Sequence, residues 1–197
     1  MNNRRLEQQL AFILKIDEEK NILRQTHLSH HGRREDDAEH AWHMAVMAYL
    51  LKEYANEEVD ILHVMIMCLI HDLVEIEAGD TYAYDTEGKK TQREREEKAA
   101  DHIFGLLPDD QRDELRSIFE EFDTGDTPEA RFARAMDNFQ PLLLNNSNGG
   151  GDWKEHDVSR KTVETRQSRT AEGSRVLYEK TEEILDDNVA KGSLKPE

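Results

Sequence analysis

One apolar run, VMIMCLI at residues 64–70, constrains the fold of this chain more than any other stretch. Its apolar side chains point to all sides of a helix, which is the pattern of a helix buried at the centre of a fold. The run leads directly into HDLVEIEAGD, where an imidazole and four carboxylates fall within ten residues. Because charges without partners cost several kcal/mol each to bury, these groups must reach water, pair with cations or bind a metal.

Helical spacing groups three of these polar side chains. His71 and Glu75 are four residues apart and Asp72 and Glu75 are three apart, so all three share one face near the end of the helix. Gly79 is a typical stop signal after them. The alternative interpretation is a solvated helix tip, although acids are unfavourable at the C-terminal end of a helix dipole. Spacing alone leaves both interpretations open.

The N-terminal half shows helical patterns on either side of this run. An apolar stripe over residues 6–14 predicts a first helix, and residues 37–54 carry the pattern of a second. The buried third helix is expected over residues 59–76. The polar stretch AYDTEGKKTQ at residues 83–92 predicts a loop.

Four more helices are predicted in the C-terminal half. The fourth lies in TQREREEKAADHIFGLLP and the fifth in PDDQRDELRSIFEEF, where Asp109 or Asp110 is a candidate cap. Thr127, followed by a proline and a glutamate, predicts the start of a sixth helix in PEARFARAMDNFQPLLL. A last long helix is expected over residues 159–188, after a flexible loop over residues 145–153.

The fold class predicted from these patterns is all-α. No window shows sustained alternation flanked by turn pairs, so strand signals are nearly absent. Both loops are too short to be convincing linkers between domains. We therefore expect a single helical-bundle domain over residues 1–197, with its core over about 6–188 and residues 189–197 as a candidate flexible tail.

Charge and composition exclude several classes of function. With 43 acidic and 26 basic residues the formal net charge is −17, which should repel nucleic acid and anionic membranes. The single cysteine, Cys68, excludes an intramolecular disulfide and a cysteine-based zinc site. The longest apolar run is far below the roughly 18 residues that span a bilayer. The N-terminal apolar segment is too short for a signal peptide, so we expect a cytoplasmic protein.

Two other segments supply candidate metal ligands. His40 and His43 lie on the second helix, and histidines with nearby carboxylates suit a divalent ion with mixed nitrogen and oxygen ligands. Asp137 lies at the border of the buried face of the sixth helix, near Pro141, which removes the backbone partner of its carbonyl. An isolated acid there is more often a helix flank, so spacing leaves its role open. We expect His43 to have a structural role or to support a ligand rather than to bind the metal.

The order of these residues resembles a known family. His40, then the adjacent His71 and Asp72, then Asp137 form the H…HD…D pattern of the HD-domain metal-dependent phosphohydrolases. The flanking stretches RREDDAEHAWHMAVMAYLL, LIHDLVEIEAGD and RFARAMDNFQPLLLN are similar to its 5′-deoxynucleotidase branch, the YfbR-like and HD-domain-containing-2 group. The resemblance extends from about Leu6 to the last helix.

The resemblance implies a set of metal ligands and a cofactor. The cofactor would be one divalent ion, and ligand chemistry does not choose among Mn²⁺, Co²⁺, Mg²⁺, Fe²⁺ and Zn²⁺. The implied metal ligands are His40, His71, Asp72 and Asp137.

The resemblance also implies residues for catalysis and substrate binding. Glu75 would orient or deprotonate the attacking water, and Asp80 would face the sugar or the leaving group. Arg24 matches the arginine that binds phosphate in this branch, and Arg33 is a second candidate. Where the branch can carry a tryptophan after that arginine, this chain has Gln25. Selection between deoxyribose and ribose is therefore left open.

The implied function is hydrolysis of (deoxy)nucleoside 5′-monophosphates to nucleoside and phosphate, by a protein that forms a homodimer. One alternative is another HD phosphohydrolase that acts on nucleoside triphosphates, cyclic nucleotides or alarmones. The other alternative is a helical module that binds a metal or nucleotide without hydrolysing it. A water-positioning acid at Glu75 favours an enzyme over a binding module.

Overall fold

The computed structural model of the chain describes residues 3–79 and 89–196. The all-α class is confirmed, with one small antiparallel hairpin added to the helices. The hairpin strands are β1 (Leu23–His27) and β2 (Arg34–Asp36), and Asp17–Asn21 and Lys52–Tyr54 are short 3₁₀ helices. The α-helices are α1 (Asn3–Ile16), α2 (Asp37–Leu51), α3 (Ile61–Ile70), α4 (Glu75–Ala78), α5 (Lys89–Phe104), α6 (Asp109–Thr124), α7 (Pro128–Ser147), α8 (Gly151–Glu155), α9 (Arg160–Gln167), α10 (Thr170–Gly173) and α11 (Arg175–Ala190).

Helix α3 contributes to the core, but it is not buried on all sides as its all-round apolar pattern predicts, because Leu62 and Leu69 are 64% and 43% exposed. It packs against α2, α6 and α7. Val64, Met67 and Cys68 have no exposed surface. Burying such side chains contributes roughly 1.5–3 kcal/mol each to folding, so this packing is a major source of stability.

The third helix ends six residues earlier than the sequence predicts. It stops at Ile70, and residues 71–74 form turns before α4 begins at Glu75. The amide of Leu73 donates to the carbonyl of Ile70, a spacing of three residues that tightens the last helical turn. Gly79 ends α4 with φ of +76°, the left-handed region that favours glycine. His71 and Asp72 therefore project from a turn rather than from a continuous helix.

The sequence pattern does not predict the hairpin. Its strands are short, polar and irregular in register, so they lack the alternation that identifies a strand. The loop between them is held from outside the hairpin. The Asn148 side chain donates to the carbonyls of His27 and Leu28 and accepts from the amide of His31. These contacts are long-range, and no local pattern predicts them.

The predicted last helix over residues 159–188 is wrong as one element, because it breaks twice into α9, α10 and α11. The second break is at Ser174, which is extended and caps α11 by accepting from the amide of Leu177. The loop predicted over residues 145–153 is also shorter, because α7 continues to Ser147 and α8 begins at Gly151.

Two predicted caps had different outcomes. The Thr127 hydroxyl accepts from the amide of Ala130, so the predicted start of α7 is confirmed. Asp109 and Asp110 lie inside α6, whose first flanking residue is Pro108, and no side chain caps that end. The loop predicted over residues 83–92 falls mostly outside the described residues, and α5 begins at Lys89.

Within residues 3–79 and 89–196, no helix is both long enough and apolar enough to cross a bilayer.

Close backbone packing at Gly173 provides a test of this fold. A Cβ atom there would lie 2.6 Å from the Arg131 carbonyl carbon and 2.8 Å from Phe132 Cα, both backbone atoms of α7. We expect Gly173→Ala to lower the free energy of unfolding by about 1–3 kcal/mol, because α10 must move away from α7. Gly151→Ala, where a Cβ meets nothing within 4 Å, is the matched control and should leave it nearly unchanged. Equal urea midpoints for the two variants would contradict the packing.

Candidate functional site

Four candidate ligands from three elements meet in the interior. His40 comes from α2, His71 and Asp72 from the turn after α3, and Asp137 from α7. The rings of His40 and His71 are 5.6 Å apart, and Asp137 Oδ1 lies 3.3 Å from His40 Nε2. One ligand atom each from His40, His71 and Asp72 lies within 4.8 Å of the others, close enough for one ion. The tertiary fold thus brings together residues up to 97 positions apart.

Hydrogen bonds at Nδ1 orient both imidazoles toward a common point. His71 Nδ1 donates to the Cys68 carbonyl at 2.9 Å, and His40 Nδ1 donates to Gln140 Oε1 at 2.9 Å. A neutral imidazole with its proton on Nδ1 presents a lone pair at Nε2, which is the form that binds metals. Both Nε2 atoms therefore face the carboxylates of the cluster.

The buried Nε2 atom of His71 tests whether a metal fits. It makes no hydrogen bond with any described residue, although Asp72 Oδ2 lies 3.1 Å away. A nitrogen lone pair and a carboxylate oxygen at this distance repel each other unless a proton or a metal ion lies between them. Two imidazole nitrogens with carboxylate oxygens are a suitable donor set for a divalent ion. The residues present fit such an ion.

The pKa shifts describe a site that attracts a cation. Burial lowers the pKa of His71, but Asp72 outweighs burial and raises that pKa to about 9. Burial and the charge of Arg24 lower the pKa of His40 to about 4. Burial would raise the pKa of Asp137, yet its contact with the His40 ring and the charge of Arg166 bring that pKa well below its usual range. The field that holds a proton on His71 would hold a metal ion at the same position.

Gln140 links the imidazole of His40 to a buried polar network. Its amide nitrogen donates to Glu35 Oε1 at 2.6 Å and to His43 Nδ1 at 3.1 Å, so its oxygen must face His40. Gln140 is fully buried and Glu35 is nearly so. His43 thus has the supporting position that the sequence analysis expects. No local pattern marks Gln140 or Glu35, since both act through residues distant in the chain.

Arg24 lies at the edge of the ligand cluster. Its Nη1 donates to Asp72 Oδ2 at 2.8 Å and to Asp37 Oδ1 at 3.1 Å. Burial opposes its charge, but Asp72 and Asp37 outweigh burial and raise its pKa, so the guanidinium stays charged. Residue 24 belongs to β1. The hairpin is therefore the element that carries this arginine into the site.

Arg33 lies away from the cavity in which the sequence analysis expects it. Its side chain is 58% exposed and pairs with Glu39 through two bonds of 2.9 and 2.5 Å. Glu39 is fixed in the first turn of α2, where it forms a capping box with Asp36. Among the described residues, the arginines that line the cavity are Arg24 and Arg166. The structure therefore does not bring Arg33 to the candidate ligands.

The two expected catalytic acids have different outcomes. Glu75 is the first residue of α4, is 93% buried and lines the cavity next to His71 and Asp72. Asp80 lies outside the described residues. Glu77 points elsewhere and pairs with Lys15 and His102.

The cavity next to the ligand cluster has a volume of about 230 Å³. Gln25 and Thr26 of β1 line it beside Arg24, and its apolar walls include Phe122 and Trp153. Phe122 also packs on the ring of His71, with centroids 4.7 Å apart. A small organic group attached to a phosphate fits this combination of polar and aromatic walls.

A second group of possible ligands has a structural explanation. His27, Asp152 and Glu155 have atoms close enough to hold an ion. Both oxygens of Asp152 are engaged by His27, one by the ring at 2.6 Å and one by the main-chain amide at 3.1 Å. Asp152 therefore ties β1 to α8.

Comparison with known proteins identifies one matching family model. The model described as HD domain matches residues 16–177. This range contains all four candidate ligands.

Curated relatives share part of the sequence. The 5′-deoxynucleotidase HDDC2 of Danio rerio is 33% identical over 110 residues, which is 55% of this chain and 53% of that protein. The human protein of the same name is 33% identical over 111 residues, with 56% of this chain and 53% of the relative covered. This chain spans about half the length of these curated relatives.

Solved structures extend the similarity to nearly the whole chain. A protein from Magnetospirillum magnetotacticum MS-1, described as a predicted metal-dependent phosphohydrolase, is 47% identical with a TM-score of 0.93. That comparison covers 98% of this chain and 96% of the other. An HD-domain phosphohydrolase from Listeria innocua has a TM-score of 0.62 at 18% identity, with 93% of this chain and 90% of the other covered, and shows similarity of fold alone.

The contact between Gln140 and His40 predicts a specific effect on metal binding. We expect Gln140→Leu to weaken the binding of Mn²⁺ by about 10–100-fold, because His40 loses the acceptor that keeps its proton on Nδ1. Isothermal calorimetry after chelation would measure this change.

Asn188→Leu is the matched control for that variant. Asn188 is a buried amide with two hydrogen bonds, to Asn146 and to the Ile184 carbonyl. Its loss should lower stability without changing metal affinity. Equal losses of Mn²⁺ affinity in both variants would show that Gln140 acts only through general stability.

Proposed function

This chain belongs to the HD domain family, and on that premise we propose that it is a metal-dependent phosphomonoesterase that hydrolyses nucleoside 5′-monophosphates. We propose further that 2′-deoxynucleotides are its preferred substrates, as the name of the curated HDDC2 relatives suggests. One observation carries the proposal. Two imidazoles whose Nε2 atoms face a pair of partly buried carboxylates lie next to a cavity lined by guanidinium and aromatic groups.

Membership of this family implies a divalent metal, and His40, His71, Asp72 and Asp137 would hold it. A divalent ion bound there supplies Lewis-acid chemistry, which stabilises negative charge on phosphate oxygens and makes water more acidic. The ligand set does not select among Mn²⁺, Co²⁺, Mg²⁺, Fe²⁺ and Zn²⁺.

Glu75 would act on the water molecule in the hydrolysis step. The water oxygen attacks phosphorus as the bond to the 5′ oxygen of the sugar breaks, and the leaving oxygen must gain a proton. A carboxylate of Glu75 can accept the proton of the attacking water, since it lines the same cavity as His71 and Asp72. Asp80 is proposed, from the family resemblance, to face the sugar or the leaving group.

Arg24 would have two roles in this scheme. It holds Asp72 through a 2.8 Å hydrogen bond, and its guanidinium lines the cavity where a phosphate would lie. Because the chain carries a net charge of −17, a local cation is needed to offset repulsion of an anionic substrate. Gln25, next along the cavity wall, would contact the sugar.

The proposal also includes the domain organisation, the oligomeric state and the cellular location of the protein. We propose a single HD hydrolase domain that functions in the cytoplasm as a homodimer. Trp42, Tyr49 and Leu50 lie on the outer face of α2 and are each more than half exposed, which supports a role for that face in self-association. Solution light scattering tests the dimer, and the mass of a monomer would reject it.

A substrate panel tests the activity. The protein is treated with a chelator, reloaded with Mn²⁺ or Co²⁺, and assayed for phosphate release from paired ribo- and deoxynucleoside 5′-monophosphates. We expect release only with metal present, and faster release from the deoxynucleotides. The panel also includes nucleoside triphosphates, cyclic nucleotides and alarmones.

Each result of the panel has a defined consequence. Absence of metal-dependent release from any monophosphate would reject the proposed function. Preference for triphosphates, cyclic nucleotides or alarmones would favour another HD phosphohydrolase activity. Tight nucleotide binding without turnover under any metal would favour a binding module.

The proposed role of Glu75 predicts that its loss lowers turnover without lowering metal binding. We expect Glu75→Ala to lower kcat by about 10²–10⁴-fold, because the attacking water loses its proton acceptor, while Mn²⁺ occupancy is retained. Kinetics combined with metal analysis of the same sample would measure both quantities.

Glu77→Ala is the matched control, because Glu77 is an acid of the same helix that pairs with Lys15 and His102. Its kcat should stay near that of the parent protein. If the metal occupancy of Glu75→Ala falls as far as its kcat, Glu75 is a metal ligand instead.

A further inference from the structure

Arg166 is a cavity residue whose guanidinium has spare hydrogen-bonding capacity. It lines the cavity beside the candidate ligands, and its side chain is 30% exposed. Its Nη2 lies 3.6 Å from Asp137 Oδ2, which is too long for a hydrogen bond. No hydrogen bond joins it to another described residue, so its five N–H groups are available to a ligand.

The neighbouring residue fixes Arg166 in this position. Gln167 Nε2 donates to the Asn138 carbonyl at 2.7 Å, and Thr170 donates to Gln167 Oε1 at 3.0 Å. Gln167 and Thr170 are both buried. Because Asn138 directly follows Asp137 on α7, this bond sets Arg166 of α9 against Asp137. The backbone of α9 beside Arg166 is therefore anchored to α7.

Another arginine of the same helix has a different environment. Arg160 is the first residue of α9 and pairs with both Glu164 and Asp186. Among the described residues, Arg166 has Asp137 alone within ion-pair distance, and Asp137 Oδ1 lies 3.3 Å from His40 Nε2. An arginine held close to a ligand group without bonding to it suits binding of an anion.

Resting on the proposed function, we propose that Arg166 is a second phosphate-binding residue, and that Arg166 and Arg24 together select phosphate monoesters over diesters. Each candidate ligand carboxylate has one guanidinium beside it, Arg24 at Asp72 and Arg166 at Asp137.

The chemistry of the phosphate explains the selectivity. A monoester has three non-bridging oxygens and a charge of about −1.5 to −2 at neutral pH. It can offer one oxygen to the metal position and one to each guanidinium. A diester has two non-bridging oxygens and a single negative charge, so one of these contacts is lost.

Binding of inorganic phosphate to the Mn²⁺-loaded protein tests the role of Arg166 without turnover. Hydrogen bonds to charged groups contribute about 1.5–3 kcal/mol, so we expect Arg166→Gln to weaken phosphate binding about 10–150-fold. Arg166→Lys should retain part of the affinity because it keeps the charge but loses the planar fork. Arg160→Gln, on the same helix, should bind phosphate as the parent protein does.

The affinity for Mn²⁺ distinguishes two possible roles of Arg166, which are binding of the substrate and support of Asp137. We expect the Mn²⁺ dissociation constant of Arg166→Gln to stay within about twofold of the parent value, while its KM for a nucleoside 5′-monophosphate rises with the phosphate dissociation constant. If Mn²⁺ affinity falls as far as phosphate affinity in both Arg166 variants, Arg166 only positions Asp137 and the proposal is overturned. Thermal unfolding identifies a variant that fails to fold. If Arg166→Gln fails to fold, the phosphate and Mn²⁺ affinities of Arg166→Lys test the proposal instead.

The selectivity is measured with phosphate and dimethyl phosphate, and with a nucleotide and its 5′-methyl diester. We expect Arg166→Gln to reduce the preference for the monoester at least about tenfold. Phosphate binding by the parent protein without nucleotide turnover would reject the proposed function and leave the Arg166 site standing. Absence of phosphate binding by the metal-loaded parent protein, or equal binding by Arg166→Gln, would reject the Arg166 site itself.

Discussion

The hydrogen bond between Arg24 and Asp72 is the interaction on which the arrangement of the interior depends. Asp72 lies at the end of the most apolar helix, where an uncompensated carboxylate would cost several kcal/mol. Arg24 compensates it at 2.8 Å and also pairs with Asp37 at 3.1 Å. One guanidinium thus connects the hairpin, the start of α2 and the turn after α3. Its position explains why a largely helical chain retains two short strands.

Residues that are not themselves candidate ligands orient the ligand side chains of the site. The Cys68 carbonyl and Gln140 accept the Nδ1 protons of His71 and His40, and this selects the tautomer of each ring. Gln140 is oriented in turn by its donation to Glu35. Such supporting bonds set the direction of lone pairs before any ligand arrives, which reduces the reorganisation needed on binding. The same principle applies to Arg166, whose position is set by a bond that its neighbour makes.

Local patterns predicted the parts of the fold that depend on local physics. Helix α3, the cap at Thr127 and the stop at Gly79 follow from side-chain polarity, a hydroxyl and a residue without Cβ. The errors occurred where distant contacts decide. The hairpin is held by Asn148, α9 to α11 break where Gly173 packs against α7, and Arg33 is drawn to Glu39. Arg166 lies in a polar helix that resembles a solvated surface, so no sequence signal distinguishes it.

The sequence by itself determined the helical class, the contribution of α3 to the core and the identity of the candidate ligands, because apolar periodicity and an ordered motif are carried by residue types and spacing. The tertiary structure decided which groups face those ligands. Arg24 lies beside Asp72 and Arg166 beside Asp137, whereas Arg33 lies outside the cavity. These positions depend on packing between elements far apart in the chain. That packing, rather than any local preference, sets which group each arginine side chain faces.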